Sequence, residues 1–182
     1  GNCESSRTRA RASITTVPRN NNLTTHVILY HENFSGYTGG LTATGWNLTP
    51  VSDNNTKAAQ SSGGTFIRTN AAAAKTLTMD PISTVGYEQI GIMFAHRRSN
   101  TTGNVLTLQY SLDGTNWTSI SNVSSPSTAW VWASSNYIIL PENASNAPNL
   151  RIRWQNNAST ASRYYELDDI TIVGTPVIGL DR

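Results

Sequence analysis

Short runs of alternating hydrophobic and polar residues recur along the chain, with the period of half-buried strands. In YEQIGIMFAHR (87–97), Ile90, Ile92 and Phe94 share one face, and Gly91, Met93 and Ala95 the other. In NVLTLQYS, Leu106, Leu108 and Tyr110 oppose Thr107 and Gln109. In LRIRWQN, Ile152 and Trp154 oppose Arg151 and Arg153. THVILYHENF, TFIRT, KTLTM, WTSIS, AWVWASSNYIIL and YYELDDITIVG are further predicted strands, separated by Gly, Asn, Ser and Pro. YSLDGTNWT is a hairpin signal, because Asp-Gly accepts the positive φ of a tight turn. SGYTGGLTATGW reads as a glycine-rich loop delivering Trp46 to cap a core, and NAAAAK is too short for an independent helix. Strands this short and evenly spaced predict an antiparallel β-sandwich.

The last of these strands breaks its own pattern. Tyr165 and Leu167 have one parity, Ile170 and Ile172 the other, and all four are core-type residues. One residue of slip exchanges the faces of a strand, so a regular strand cannot bury both pairs. An extra residue at Asp168–Asp169 resolves the conflict, and a β-bulge supplies one. This reading expects an exposed carboxylate beside the bulge, open to a hard cation or to ordinary hydrogen bonds.

Composition narrows the class. Charged residues are 13% and hydrophobic residues 37% of the 182-residue chain. Low charge with recurrent aromatic residues excludes a disordered chain, and abundant Thr, Asn and Gly favours strands and turns over helices. The net charge of +2 is concentrated at the start, where Arg7, Arg9, Arg11 and Arg19 lie in a stretch without periodicity. The predicted division is an extended arm at 1–24, a sandwich at 25–176 and a tail at 177–182. Four arginines are few for nucleic acid, which is not an expected partner. No run of ~18 apolar residues occurs, so no membrane insertion by a helix is expected. Cys3 is the lone cysteine, which leaves no intramolecular disulfide. Sequons such as Asn22, Asn33, Asn47 and Asn116 agree with an extracellular surface.

ENFSG, GW, LTLQYSLDGTNWTSI, LRIRWQN and YYELDDITIVG, in that order, resemble bacterial extracellular jelly-roll modules. The resemblance is to the MAM-like, cleaved-adhesin and choice-of-anchor J group, and more distantly to jelly-roll carbohydrate-binding modules. It spans about residues 27–174. It implies an all-β, antiparallel jelly-roll β-sandwich, secreted or displayed on a cell surface. It also implies a first strand paired with the last around a structural calcium, whose matching positions are Glu32, with Asn33, and Asp168 or Asp169. The chain departs from the group in its long N-terminal arm and in lacking a second module.

Catalytic constellations are absent from the sequence. His26, His31 and His96 form no H-E-x-x-H pattern, and there is no G-x-S-x-G or phosphate loop. Glycosidases need two carboxyls ~5–10 Å apart across a cleft, whereas adjacent strand residues point to opposite faces. A non-enzymatic role is therefore expected. Trp130 and Trp132 are two apart and share a face; inward they are core, outward they form a platform for a sugar ring. Arg151 and Arg153, opposite Ile152 and Trp154, are either solvated strand charges or a reader of carboxylated or sulfated glycans. Tyr37 is a candidate rim residue. The expected function is adhesion or carbohydrate binding, with a glycan or a cell-surface or protein partner. The alternatives are a filament or shell subunit that uses residues 1–24 for strand addition, and the accessory domain of a secreted hydrolase.

Overall fold

A computed structural model describes residues 25–52, 64–69, 75–99, 105–156 and 164–178. The predicted arm at 1–24, and strand addition by it, lie outside the described residues, as does the tail beyond Ile178. Twelve strands occur in the described residues: β1 (Val27–Glu32), β2 (Leu41–Thr44), β3 (Trp46–Ser52), β4 (Thr65–Thr69), β5 (Lys75–Met79), β6 (Tyr87–Arg98), β7 (Leu106–Ser111), β8 (Thr118–Asn122), β9 (Val131–Trp132), β10 (Ile138–Ile139), β11 (Arg151–Asn156) and β12 (Tyr165–Pro176). One sheet runs β10-β6-β12-β4-β3, with β1 also on β12 and β9 also on β6. The second runs β2-β5-β11-β7-β8. Every pairing is antiparallel, which makes a jelly-roll sandwich of two packed sheets.

The alternation seen in the sequence positions the core. Ile90, Ile92 and Phe94 of β6 face Leu77 and Met79 of β5, Leu106 and Leu108 of β7, and Ile152 and Trp154 of β11. Phe94 meets Trp154 edge-on at 5.4 Å, and Trp46 closes the core at one margin. The Asp-Gly hairpin forms as predicted. Gly114 has φ 77°, and the Asp113 carboxylate accepts from the N–H groups of Thr115 and Asn116 and from the Asn116 amide. Those donors hold the Asp113 carboxyl well below the usual carboxylate range.

Two segments differ from expectation. The glycine-rich loop contains β2 and ends at Trp46, the first residue of β3; Leu41, Ala43, Trp46 and Leu48 signal these two strands only weakly among threonines and Pro50. AWVWASSNYIIL is not one strand. It makes the two short strands β9 and β10, joined by an arch at Ala133–Tyr137, and both pair with β6.

The bulge in β12 is present. Asp168 pairs with Ala95 but Thr171 pairs with Met93, so β12 carries one extra residue, and Asp169 takes φ 50°. Tyr165, Leu167, Ile170 and Ile172 are all buried in the inter-sheet core as a result. The bulge also divides the far edge of β12. β4 pairs with Glu166 and Leu167 before it, and β1 pairs with Ile170 through Gly174 after it. The expectation of an exposed carboxylate is corrected: Asp168 and Asp169 are both buried, and Asp168 Oδ1 accepts from the Asp169 N–H at 2.8 Å.

Candidate functional site on the outer face of the larger sheet

Register places side chains on the outer face of the seven-stranded sheet. Trp132 lies opposite Ala95, which lies opposite Asp168, while Met93 lies opposite Thr171. Directly paired residues project to the same side of a sheet, so Trp132, Met93, Thr171 and Asp168 all point away from the inter-sheet core. Of the two alternatives for the tryptophan pair, the structure takes the outward one. The pair still does not make an open platform. Trp130 is buried in a small second cluster with Phe66 and Ala95, meeting Phe66 edge-on at 5.4 Å. Trp132 remains half-buried beside that cluster and is available to a ligand.

A groove of about 320 Å³ opens next to Trp132. Met93 and Thr171 contribute from β6 and β12, and Ser134, Ser135, Asn136 and Tyr137 line it from the arch. The arch is fixed at both ends on β6, by Ala133 N–H donating to the Phe94 carbonyl (2.9 Å) and Leu140 N–H donating to the Ile90 carbonyl (2.8 Å). All seven lining side chains are uncharged. His31 shares a hydrogen bond of 2.9 Å with the Thr171 hydroxyl, and His26 meets the Tyr137 ring at 5.6 Å. Two aromatic rings, a thioether and a rim of hydroxyls and one amide suit a molecule with flat apolar faces and many hydroxyl groups.

The same face carries a charged cluster farther along β12. Glu166 is fully buried, and both Arg68 and Arg97 donate to it, Arg68 Nε at 2.6 Å. Arg97 lies over the Trp130 ring at 5.1 Å and Arg68 over the half-buried Tyr164 ring at 4.5 Å. The aromatic faces hold the guanidinium planes while the carboxylate takes their edges. Sequence reasoning missed Glu166, Arg68, Arg97 and Tyr137. The visible signal was charge at alternate positions of otherwise apolar strands, at Arg68, Arg97 and Glu166.

The remaining predicted ligand residues lie elsewhere. Arg151 and Arg153 project from the outer face of the five-stranded sheet, on the opposite side of the sandwich. Arg153 is engaged there: its Nε and Nη2 donate to Gln109 Oε1, and its guanidinium covers the Trp117 ring at 4.0 Å. Arg151 packs against Gly114. Tyr37 rests on the inter-sheet core beside Phe34, ring centroids 5.7 Å apart, and burial raises its hydroxyl pKa. Neither the arginines nor Tyr37 line the groove.

The four predicted calcium ligands do not converge as a set. Glu32 pairs with Ile170, whose side chain enters the core, whereas Asp168 pairs with Ala95 on the outer face. Glu32 Oε1 accepts from the Phe34 N–H at 2.5 Å, and Asn33 Oδ1 accepts from the Ser35 N–H at 3.0 Å. Among the described residues no group of three or more His, Cys, Asp or Glu side chains is placed to hold a metal. Glu32 ends the β1–β12 register opposite Ile170, the residue that follows Asp169 in the chain.

No protein-family model matches the chain, and no curated protein matches it. Solved structures do share its fold. The CBM22-1 xylan-binding domain of Paenibacillus barcinonensis Xyn10C superposes with a TM-score of 0.59 at 15% identity, covering 86% of this chain and 99% of that one. The K3 cleaved-adhesin domain of Lys-gingipain from Porphyromonas gingivalis gives 0.58 at 12% identity, covering 82% and 99%. The C-terminal family 22 carbohydrate-binding module of Clostridium thermocellum Xyn10B gives 0.54 at 18% identity, covering 83% and 97%. The jelly-roll resemblance drawn from the motif order thus holds at the level of fold.

Proposed function

We propose that this chain is a non-catalytic, extracellular carbohydrate-binding module whose ligand lies in the groove beside Trp132. The observation that carries this reading is an aromatic-walled groove lined wholly by uncharged side chains, on the outer face of a jelly-roll sheet. The fold it shares with xylan-binding modules and an adhesin domain supports a binding role. Trp132 and Tyr137 supply stacking area, and Ser134, Ser135, Asn136 and Thr171 supply hydrogen bonds to hydroxyl groups. The uncharged lining favours a neutral polysaccharide over a uronic or sulfated one. Native affinity gels containing xylan, galactomannan, β-glucan or hydroxyethylcellulose test this, with polygalacturonate as the charged control. At least one neutral polymer is expected to retard the protein. Trp132→Ala is expected to weaken that binding about tenfold or more, the loss of ~1.4 kcal/mol or above. Passage of the wild type unretarded through every gel would sink the reading.

A calcium ion is proposed only as a clip on the β1–β12 seam. Glu32 and Asp169 are its candidate carboxylates, with backbone carbonyls and water completing the 6–8 oxygens such an ion takes, a range general to calcium sites at about 2.3–2.6 Å. An ion bound only to the native state must stabilise it. Adding calcium after chelation is expected to raise the melting temperature by several degrees, and Glu32→Gln to abolish the rise. An unchanged wild-type melt removes the ion from this reading.

A further inference from the structure

We propose that Gly91 is a positioning residue for the groove, because its missing side chain is the seat on which Tyr137 rests. Gly91 projects from the outer face of β6, paired with Ile139 on one side and Val173 on the other. A Cβ placed there would lie 2.8 Å from the Tyr137 Cβ and 3.3 Å from its Cγ, with Ile139 Cδ1 also at 3.3 Å. The first of these separations is one that real Cβ atoms do not occupy, so any other residue at 91 must displace Tyr137. The arch has little freedom to absorb the shift, since both of its ends are tied to β6. Displacement therefore tilts or lifts the Tyr137 ring, which is one wall of the groove. Glycine is not required at 91 by its backbone, which is not among those with positive φ. The requirement is the space above it.

The inference rests on the proposed glycan-binding role, and its test separates the two. Gly91→Ala, Tyr137→Gly and the double variant are compared by thermal melting and by retardation in the neutral-polysaccharide gels. Gly91→Ala is expected to weaken binding about three- to tenfold, the range one aromatic contact supplies. In the Tyr137→Gly background, where the blocking Cβ and its ring are gone, Gly91→Ala is expected to add no further loss of binding. The thermal penalty of Gly91→Ala should shrink there too, a coupling that neighbouring residues show and independent ones do not. Additive effects of the two substitutions on melting and binding would overturn the seating. So would a Gly91→Ala protein retarded as strongly as the wild type. A wild type that no gel retards would instead defeat the glycan reading, and the thermal cycle would still decide whether Tyr137 sits on Gly91.

Discussion

Glu166→Ala is expected to destabilise the sandwich by about 3 kcal/mol, at the lower edge of what breaking a buried ion pair costs. Glu166 has no exposed surface, and its carboxylate is shared by Arg68 and Arg97. Removing it leaves Arg97, with 21% of its side chain exposed, between the Phe66 and Trp130 rings without its carboxylate. Arg68 is 38% exposed and can turn toward water, which limits the loss. For a chain of this size the penalty corresponds to a fall in melting temperature of roughly 6–12 °C. Glu166→Gln keeps the volume and one acceptor, and should cost about half as much. Arg68→Ala should cost least of the three because its partner keeps Arg97. Melts of the three variants check the order, and a Glu166→Ala protein as stable as Arg68→Ala would show that the buried carboxylate is not what holds the cluster.

The sandwich was legible because its core lies on alternate residues. Ile90, Ile92 and Phe94 needed only parity to be assigned to one face. The bulge was legible for the same reason in reverse. Two buried pairs of opposite parity, Tyr165 with Leu167 and Ile170 with Ile172, leave a strand no regular solution. The burial of Asp168 and Asp169 was not legible, since parity says which way a carboxylate points and nothing about what covers it. The outer cluster was hidden by distance along the chain. Arg68 and Glu166 are 98 residues apart, and Arg97 and Glu166 are 69 apart. Nothing local marks them as partners until β4, β12 and β6 are laid side by side. Trp130 and Trp132 gave the correct parity but not the break after them. The Ser-Ser-Asn stretch at 134–136 is the turn signal in that run, and it makes the arch that walls the groove.

The second large effect is a loss of stability in acid that runs through His96. Its ring is 1% exposed, lies edge-on to Phe94 at 5.2 Å, and has both nitrogens buried without a hydrogen-bond partner. It pairs with Leu167 on one side and Val131 on the other. Burial, followed by the nearby Arg98 charge, pushes its pKa down from the ordinary 6.5 to about 4. Between those two values the unfolded chain binds a proton that the folded chain refuses. The free energy of unfolding therefore falls as pH drops from about 7 toward 4, by about 3 kcal/mol at 1.36 kcal/mol per pKa unit, and levels off below that. His96→Leu replaces two unsatisfied nitrogens with apolar volume, so it should stabilise the protein in acid and remove this part of the pH dependence. The Asp113 carboxylate, whose pKa is lowered by its hydrogen bonds, adds its own acid sensitivity to both proteins. The quantity to measure is therefore the difference between wild type and His96→Leu in urea midpoint, at pH 7.5 and at pH 4.5. That difference should widen by about 1 M in favour of the variant at the lower pH. Parallel curves would mean that His96 acquires its proton without opening the sandwich, and that the core around Phe94 tolerates a charge.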